Sequence, residues 1–558
     1  MSAAILVLAL LLCVAVSAVL VRVARLPLPL TQIALGAAIS VPSFGLHVDL
    51  EPKLFLLLFI PPLLFADGWR MPKREFFRLR ERIFGLAFGL VLFTVVAVGY
   101  LLHWMIPSLP LAAAFALAAV LSPTDAVAVK ALAGRAGIPK QLMYVLEGEA
   151  LMNDASGLTT FKFAVAAAAT GAFSLSQASI SFAWVAIGGI GVGVLLGWAL
   201  GVFQQWLAGW TQVEVQGSIA MIVLLPFAAY LSAEELGVSG ILAAVAAGMA
   251  LNLKGASTDP GAQTRIASTH IWSMIEYVLN GVIFVLLGLQ LPDIIGNAID
   301  DAWESAGLAG TARLLGYALV ILSALIVVRL IWVWLLLHVT RFYASWRGDA
   351  TRPMPRSRLL WATAFAGVRG AITLAGVLSV PFVLENGAPF PHRNLMIFLA
   401  TAVILLSLIA AAVGLPLLLR GMAVDEDPEA EEEKAARLHA CEAAIEAVTD
   451  ASRRAVDKPK HDIDEVSPLV DAASRLIDNY ESRINGLREE QNTAQSLAER
   501  SAAEVELRLI GIAAERETLM RMHHADEIND TVLTALLYEI DVREAALHLR
   551  GGRRRGGH

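Results

Sequence analysis

Apolar runs long enough to cross a lipid bilayer recur along most of this chain. A membrane-spanning helix needs about 20 predominantly apolar residues, because the hydrocarbon core offers no water to the backbone. About thirteen candidate spans meet that length or come near it. They lie at approximately 3–21, 27–42, 52–67, 83–105, 110–133, 141–171, 179–207, 214–231, 237–252, 270–290, 312–341, 359–381 and 395–420. Only 17% of the 558 residues are charged, too few for a soluble protein of this length, so the sequence predicts an all-α polytopic membrane protein.

Basic residues cluster in three of the connections between these spans. The connections after spans three, five and eleven contain Arg70, Lys73, Arg74, Arg78, Arg80 and Arg82; Lys130, Arg135 and Lys140; and Arg347, Arg352, Arg356 and Arg358. The intervening connections are acidic or uncharged. Because cytoplasmic loops collect Lys and Arg, we expect a multi-pass protein of the plasma or inner membrane, with its N-terminus outside and its C-terminus in the cytoplasm. An odd number of spans agrees with that orientation.

The composition changes near Val424, where the acidic segment "DEDPEAEEEKAARLHACEAAIEAV" begins. Apolar residues with helical spacing continue to about Leu549. We therefore expect a transmembrane domain at 1–423, a cytoplasmic helical domain at 424–549 and a disordered basic tail at 550–558. The helical domain is interpreted as a bundle or coiled-coil appendage, with a regulatory sensor as the alternative. On a membrane protein, the tail "RGGRRRGGH" favours contact with anionic lipid over binding of nucleic acid.

The stretch Leu121–Val129, "LSPTDAVAV", places polar residues inside the fifth span. Pro123 lacks an amide hydrogen and disfavours helical backbone at Ser122, so we expect the helix to break at 122–125. Freed backbone groups at this depth are tolerated only where they face protein, water or an ion. A proline kink capped by the two hydroxyls is the alternative, but it does not account for the carboxylate of Asp125, since ionisable groups within spans are costly.

The sixth span begins "EGEALMNDASGLTTFKF" and carries three acids. Glu147 and Asp154 are seven residues apart and share one helical face, whereas Glu149 and Asn153, four apart, share a neighbouring face. Asp154 lies about 20 Å along the span, near the middle of the bilayer or somewhat beyond it. Three acids in one span indicate a functional site. The role of Lys162, which could pair with an acid or extend outward, stays open.

Span twelve contains the cation that could balance part of this negative charge. In "WATAFAGVRGAITLAGVLSVPF", glycines flank Arg369 and a proline stands at 381, so this helix too is expected to be interrupted. Spans five and twelve occupy matching positions in two halves of six spans, one to six and eight to thirteen, and the seventh span inverts the second half. Two discontinuous helices at matching positions of inverted repeats are typical of the substrate site of a secondary transporter.

The motifs "SPTDAVAV", "EGE…ND" and "GVRGA", in this order on about thirteen spans, carry a family resemblance. The chain resembles the monovalent cation:proton antiporter-1 family, the sodium/proton exchangers, across essentially its whole membrane part. The resemblance implies a Na⁺ and proton site formed by Thr124, Asp125 and Asp154. It also implies a structural ion pair between Glu149 and Arg369, and a homodimer in which one set of helices stays fixed while the ion-bearing set moves.

Other site residues follow the family pattern less closely. Asn153 matches the asparagine that separates generally electroneutral exchangers from relatives with two adjacent aspartates. Many members have serine where this chain has Ala150, and Asp67 stands one residue later than the acid of many members. Asp67, Glu147 and Ser122 are therefore predicted as accessory residues of the site.

Together these features predict a secondary active transporter in which Na⁺ and a proton compete for Asp154. Partial desolvation and the neighbouring charge of Asp125 should raise the proton affinity of Asp154. One proton exchanged for one cation would be electroneutral. The alternatives are K⁺ or Li⁺ as the main cation, a passive cation channel, and a signalling or scaffolding protein with vestigial transport. No nucleotide loop or nucleophile constellation suggests an enzyme, and no cofactor is expected besides the transported ions.

Overall fold

The computed structural model describes most of the chain. The described residues are 3–24, 26–40, 52–133, 138–170, 175–210, 215–251, 261–346, 357–381, 383, 390–420, 428–456, 463–489, 494–525, 527 and parts of 532–547. Some residues used for the sequence predictions lie outside this description. They are the tail 550–558, Arg135, Arg347, Arg352 and Arg356.

The described residues form helices and contain no β-strand. In chain order the helices are α1 (Ala3–Ala24), α2 (Leu28–Ile39), α3 (Pro52–Arg70), α4 (Lys73–Phe84), a π-helical segment (Gly85–Leu90), α5 (Val91–Met105), α6 (Leu111–Leu121), α7 (Ala126–Ala133), α8 (Lys140–Thr170), α9 (Leu175–Trp210), α10 (Val215–Glu235), α11 (Gly240–Leu251), α12 (Gly261–Trp346), α13 (Ser357–Phe365), α14 (Ala371–Leu378), α15 (Arg393–Leu419), α16 (Pro428–Val456), α17 (Ile463–Glu489) and α18 (Ala494–His524). The all-α prediction is confirmed.

Among the described helices, seven are long and apolar enough to cross a membrane. The number becomes eight if α6 and α7, which are bent by 52° at their break, count as one span. Each of the segments predicted from hydropathy overlaps a helix, but α2 and α11 have only 12 residues each. Thirteen crossings and an inverted repeat therefore stay predictions.

Helix α12 contains two of these spans. Its 86 residues would extend about 129 Å if straight, several times the thickness of the hydrocarbon core. The two apolar stretches are Ile266–Gly296 and Ala309–Phe342, and Gly307 between them has a φ of 58°. A left-handed residue does not continue an α-helix, so Gly307 separates a first and a second half of α12.

The helices of the first compact unit, Met1–Ala423, pack as two groups. The first group consists of α1, α2, α3, α9, α10, α11 and the first half of α12. The second consists of α4 to α8, α13, α14, α15 and the second half of α12. Within the first group, glycines allow close helix contact: a Cβ on Gly36 would meet the Val285 carbonyl, and one on Gly288 would meet that of Ile33.

The π-helical segment fixes α8 and α12 within the second group. A π-turn displaces backbone carbonyls from the normal helical ladder, so they need other donors. Trp332 Nε1 donates to the carbonyl of Gly85 at 2.9 Å, and Ser156 Oγ donates to that of Ala87 at 2.7 Å. The helix that carries the predicted ion site is therefore held by polar bonds as well as by packing.

A second compact unit comprises Val424–His558. This division falls where the composition of the chain changes. Helices α16 and α17 pack together, and ion pairs of Arg516 with Asp541 at 2.7 Å and of Arg543 with Glu515 at 2.7 Å join α18 to the helical residues that follow it.

Candidate functional site

Two interrupted helices cross at the centre of the first unit. Helix α6 ends at Leu121 and α7 begins at Ala126, whereas α13 ends at Phe365 and α14 begins at Ala371. The amide of Asp125 donates to the carbonyl of Val368 at 2.8 Å, which joins the two non-helical segments directly. Both interruptions predicted from sequence are confirmed.

Proline and glycine determine the local structure of the crossing. Pro123 is buried where its missing amide hydrogen ends the hydrogen-bond ladder of α6, and Ser122 Oγ donates back to the Ala119 carbonyl at 2.8 Å. Gly157 of α8 lies against the Pro123 ring so closely that a Cβ would clash with it. A Cβ on Gly370 would likewise collide with the carboxyl group of Asp125. Glycine at 370 therefore allows the two broken helices to approach each other, and glycine at 157 allows α8 to approach the break between α6 and α7.

Charged side chains stabilise the helix ends at the two breaks, where backbone groups have no partner within their own helix. Asp125 Oδ1 accepts from the amide of Ala128 at 2.9 Å and so caps the N-terminus of α7. Arg369 Nε donates to the carbonyl of Leu121 at 2.8 Å, at the C-terminus of α6, and its Nη1 donates to the carbonyl of Gly367. The partial charges at helix ends thus meet side chains of opposite sign.

The ion pair of Glu149 differs from the sequence prediction. Arg329, in the second half of α12, contacts Glu149 through Nη1–Oε1 at 2.5 Å and Nη2–Oε2 at 2.7 Å. The Arg329 side chain is 2% exposed and that of Glu149 is 1% exposed. Arg329 is therefore the partner of Glu149, and the predicted pair with Arg369 is corrected. Arg369 instead donates hydrogen bonds to the carbonyls of Leu121 and Gly367 at the helix breaks. No amide of a described residue is bonded to these two carbonyls.

Glu149 also connects the ion pair to the broken helix. Thr124 Oγ1 donates to Glu149 Oε1 at 3.0 Å, and Asn153 Nδ2 donates to Thr124 Oγ1 at 3.0 Å. Asn153 Nδ2 additionally faces the Thr124 carbonyl at 3.4 Å, so its Oδ1 points elsewhere. This buried oxygen has no hydrogen-bond partner among the described residues. The network fixes the position of Thr124, whose backbone carbonyl is one of the groups freed by the break.

A cavity of about 310 Å³ lies beside the crossing, between the two groups of helices. Helices α3 and α12 of the first group and α7, α8 and α14 of the second contribute to its wall. Its polar lining residues are Asp67, Arg70, Thr124, Asp125, Lys130, Tyr144, Glu147, Asp154, Glu276, Asn280 and Thr373. The predicted residues Thr124, Asp125, Asp154, Asp67 and Glu147 are thus brought together. Ser122, Glu149, Asn153 and Arg369 lie behind this lining.

The carboxylates of the cavity fall into two classes. Glu276 pairs with Arg70, which also donates to Ser273 Oγ at 3.1 Å, and Glu147 lies 3.7 Å from the ammonium of Lys130. By contrast, Asp67, Asp125 and Asp154 form no salt bridge with any described residue. Asp154 is 6% exposed, and no described residue donates a hydrogen bond to its carboxyl group. A buried carboxylate without a partner needs a proton or a cation.

Sequence reasoning missed Arg329 and Glu276. Both are ionisable residues within candidate spans, so the rule that identified Asp125 and Asp154 applied to them as well. Neither belongs to a recognisable local motif, which is why they were passed over. Lys162, whose role the sequence left open, lies 3.8 Å from Glu234 of α10.

Comparisons with known proteins match the whole membrane part. The family model described as sodium/hydrogen exchanger, transmembrane, matches residues 7–421. A protein of Escherichia coli K12, YjcE, described as an uncharacterised Na⁺/H⁺ exchanger, is 43% identical over 542 residues, covering 96% of this chain and 97% of its own. A sodium, potassium, lithium and rubidium/H⁺ antiporter of Bacillus subtilis 168 is 41% identical over 533 residues, covering 95% and 76%.

A solved structure shares the fold. The sodium proton antiporter MjNhaP1 from Methanocaldococcus jannaschii superposes with a TM-score of 0.56 at 18% identity, covering 75% of this chain and 98% of its own.

Proposed function

The chain belongs to the transmembrane sodium/hydrogen exchanger family, a family of multi-pass membrane transporters, and from this premise we propose that a monovalent cation and a proton compete for Asp154. The observation that carries the proposal is the isolation of this carboxyl group. It is buried, it faces the cavity, and neither a salt bridge nor a hydrogen bond from the described residues neutralises it. Either a proton or a cation satisfies such a group, and the two exclude each other.

Other side chains that carry oxygen atoms line the cavity together with Asp154. Asp125 supplies a second carboxylate, and Thr124 contributes to the same wall of the cavity. Hard cations such as Na⁺ prefer carboxylate, hydroxyl and carbonyl oxygens. We propose that Asp125 and Thr124 complete the cation site, while Asn153 and Glu149 hold the backbone of Thr124 in place. The buried Oδ1 of Asn153 is a further oxygen acceptor next to this site.

Na⁺ is the proposed cation, with one proton exchanged for each. One shared carboxylate that carries either ion gives an electroneutral cycle. The name of the Bacillus subtilis relative supports the alternative of a broader selectivity that includes K⁺ and Li⁺. A passive channel is the alternative from another class, and saturable, proton-coupled flux would exclude it.

The cavity lies between the two groups of helices, and we propose that their relative movement gives alternating access to Asp154. Arg70 and Lys130 line the cavity, and the basic helix α4 follows Arg70 in the chain, so we propose that this end of the cavity faces the cytoplasm. The N-terminus would then lie outside, and residues 424–549 would form a cytoplasmic helical domain. We also propose a homodimer, which cross-linking in native membranes would detect.

Transport by purified protein in liposomes tests this function. A pH gradient is imposed, Na⁺, K⁺ or Li⁺ is added, and the internal pH is followed with the membrane potential clamped. We expect cation-driven proton movement that saturates with cation, is unaffected by the clamped potential, and is lost in Asp154→Asn. Full exchange by Asp154→Asn would refute the assignment, and a strong dependence on the potential would refute electroneutrality.

A further inference from the structure

We propose that Glu147 is an entry site for the cation at the mouth of the cavity and that Lys130 competes with the cation for its carboxylate. This inference rests on the proposed function and gives roles to two residues outside the Asp154 site. The pair is an electrostatic control on the apparent affinity for the cation, and it acts before the cation reaches Asp154.

The position of Glu147 fits an entry site. It lies seven residues before Asp154 on the same face of α8, about 10 Å closer to the start of the helix, and both residues line the cavity. Glu147 is half-buried, whereas Asp154 is buried. A cation that enters from the end marked by Lys130 therefore meets Glu147 before it meets Asp154.

The two ion pairs at this end of the cavity are built differently. Arg70 contacts Glu276 and Ser273, and the Glu276 side chain is only 17% exposed. The Lys130 ammonium lies 3.7 Å from Glu147, beyond normal hydrogen-bond length, and these side chains are 73% and 31% exposed. An exposed lysine pair at this distance is weak and readily exchanged, whereas an arginine with two partners is held in place. Glu147 is thus the carboxylate that an incoming cation can take over.

The chemistry of the competition is simple. The lysine ammonium and a monovalent metal cation carry the same charge and bind the same oxygens, so occupancy by one excludes the other. Lys130 is tethered to α7, five residues beyond Asp125, and therefore competes at a constant local concentration. Removing the ammonium should strengthen cation capture, and removing the carboxylate should weaken it. A pair that only stabilised the protein would give changes of the same sign in both variants.

The test measures cation-dependent exchange by the full-length protein in liposomes, at constant ionic strength and with Na⁺ as the probe. We expect Glu147→Gln to raise the KM for Na⁺ about fivefold and Lys130→Gln to lower it by a similar factor, the size expected for an exposed pair. The kcat of Lys130→Gln should stay within about twofold of the wild type, because this ammonium acts before the step at Asp154. The double variant should behave like Glu147→Gln, because Lys130 acts only through Glu147.

Two exposed residues of α4 that lie outside the cavity lining provide matched controls. Arg80→Gln and Glu81→Gln remove the same charges from the same end of the protein and should leave the KM unchanged. A rise of the KM in both Lys130→Gln and Glu147→Gln, or additive effects in the double variant, would overturn the proposal. If Glu147→Gln fails to assemble, the sign of the change in Lys130→Gln decides alone. Absence of cation-coupled proton movement in the wild type would instead contradict the proposed function.

Discussion

Replacing Arg329 by glutamine should destabilise the protein more than any other neutralisation of an arginine in the second half of α12. Arg329 and Glu149 are almost completely buried and share two contacts, at 2.5 and 2.7 Å. Arg329 Nε also donates to the carbonyl of Thr363 at 2.8 Å, in the last turn of α13. The substitution therefore strands a buried carboxylate and leaves a backbone carbonyl without its donor.

The magnitude follows from the burial of the pair. Removing one partner of a buried ion pair costs about 3–5 kcal/mol, because the remaining charge has neither water nor a counter-ion. We expect the melting temperature of purified Arg329→Gln to fall by several degrees. Arg313→Gln is the matched control, since Arg313 lies on the same half of α12 but is exposed, and its removal should change the free energy of unfolding by about 0.5 kcal/mol or less.

A double variant separates the ion pair from other causes of instability. Glu149→Gln combined with Arg329→Gln removes both charges, so the double variant should be more stable than Arg329→Gln alone. The same Glu149→Gln change should not rescue Arg369→Gln, because Arg369 bonds carbonyls at the helix break instead of Glu149. Thermal unfolding in one detergent compares the wild type with Arg329→Gln, Arg369→Gln and their two double variants with Glu149→Gln. Rescue of Arg369→Gln, together with no rescue of Arg329→Gln, would refute the assigned pairing.

Three further predictions address the site and the domains. Gly370→Ala should abolish most exchange, because the added Cβ collides with the carboxyl group of Asp125, whereas Gly191→Ala, with open space around it, should have no effect on transport rate. Ala150→Ser adds a hydroxyl to the cavity wall and should lower the KM for Na⁺ about fivefold, roughly the contribution of one additional polar contact; an unchanged KM would contradict this. Truncation after Ala423, at the boundary between the compact units, should retain exchange in liposomes and alter only its regulation, and a folded but inactive truncation would argue against a separate appendage.

Much of the fold followed from local patterns in the sequence. Hydropathy located the helices because the absence of water in the bilayer leaves few alternatives to a helix. Pro123 and the glycines around Arg369 identified both interruptions, since their backbone constraints are local. Hydropathy also predicted spans at 27–42 and 237–252, but the helices found there, α2 and α11, have only 12 residues each. They are shorter than the length needed to cross a bilayer, so the number of crossings does not follow from the pattern.

The site was only partly predictable because some contacts join distant residues. Thr124, Asp125 and Asp154 belong to local motifs, and the structure brings them to one cavity. The pairing of Glu149 with Arg329 spans 180 residues and depends on how α12 packs against α8. Both Arg329 and Arg369 are buried arginines near the same break, and sequence offers no means of deciding which one reaches the carboxylate. Only the packing of the helices determines that Arg369 donates to the carbonyls of Leu121 and Gly367.

The central claim is that one carboxyl group carries either the proton or the cation. Purified protein in weakly buffered detergent solution tests it directly, with the release of protons measured as Na⁺ is added. Displacement at Asp154 predicts saturable release of about one proton for each cation bound, as expected when a ligand must lose its proton to bind a metal ion. Asp154→Asn should release none, and Asp67→Asn should retain the release. Cation binding without proton release, or full release by Asp154→Asn, would contradict the account.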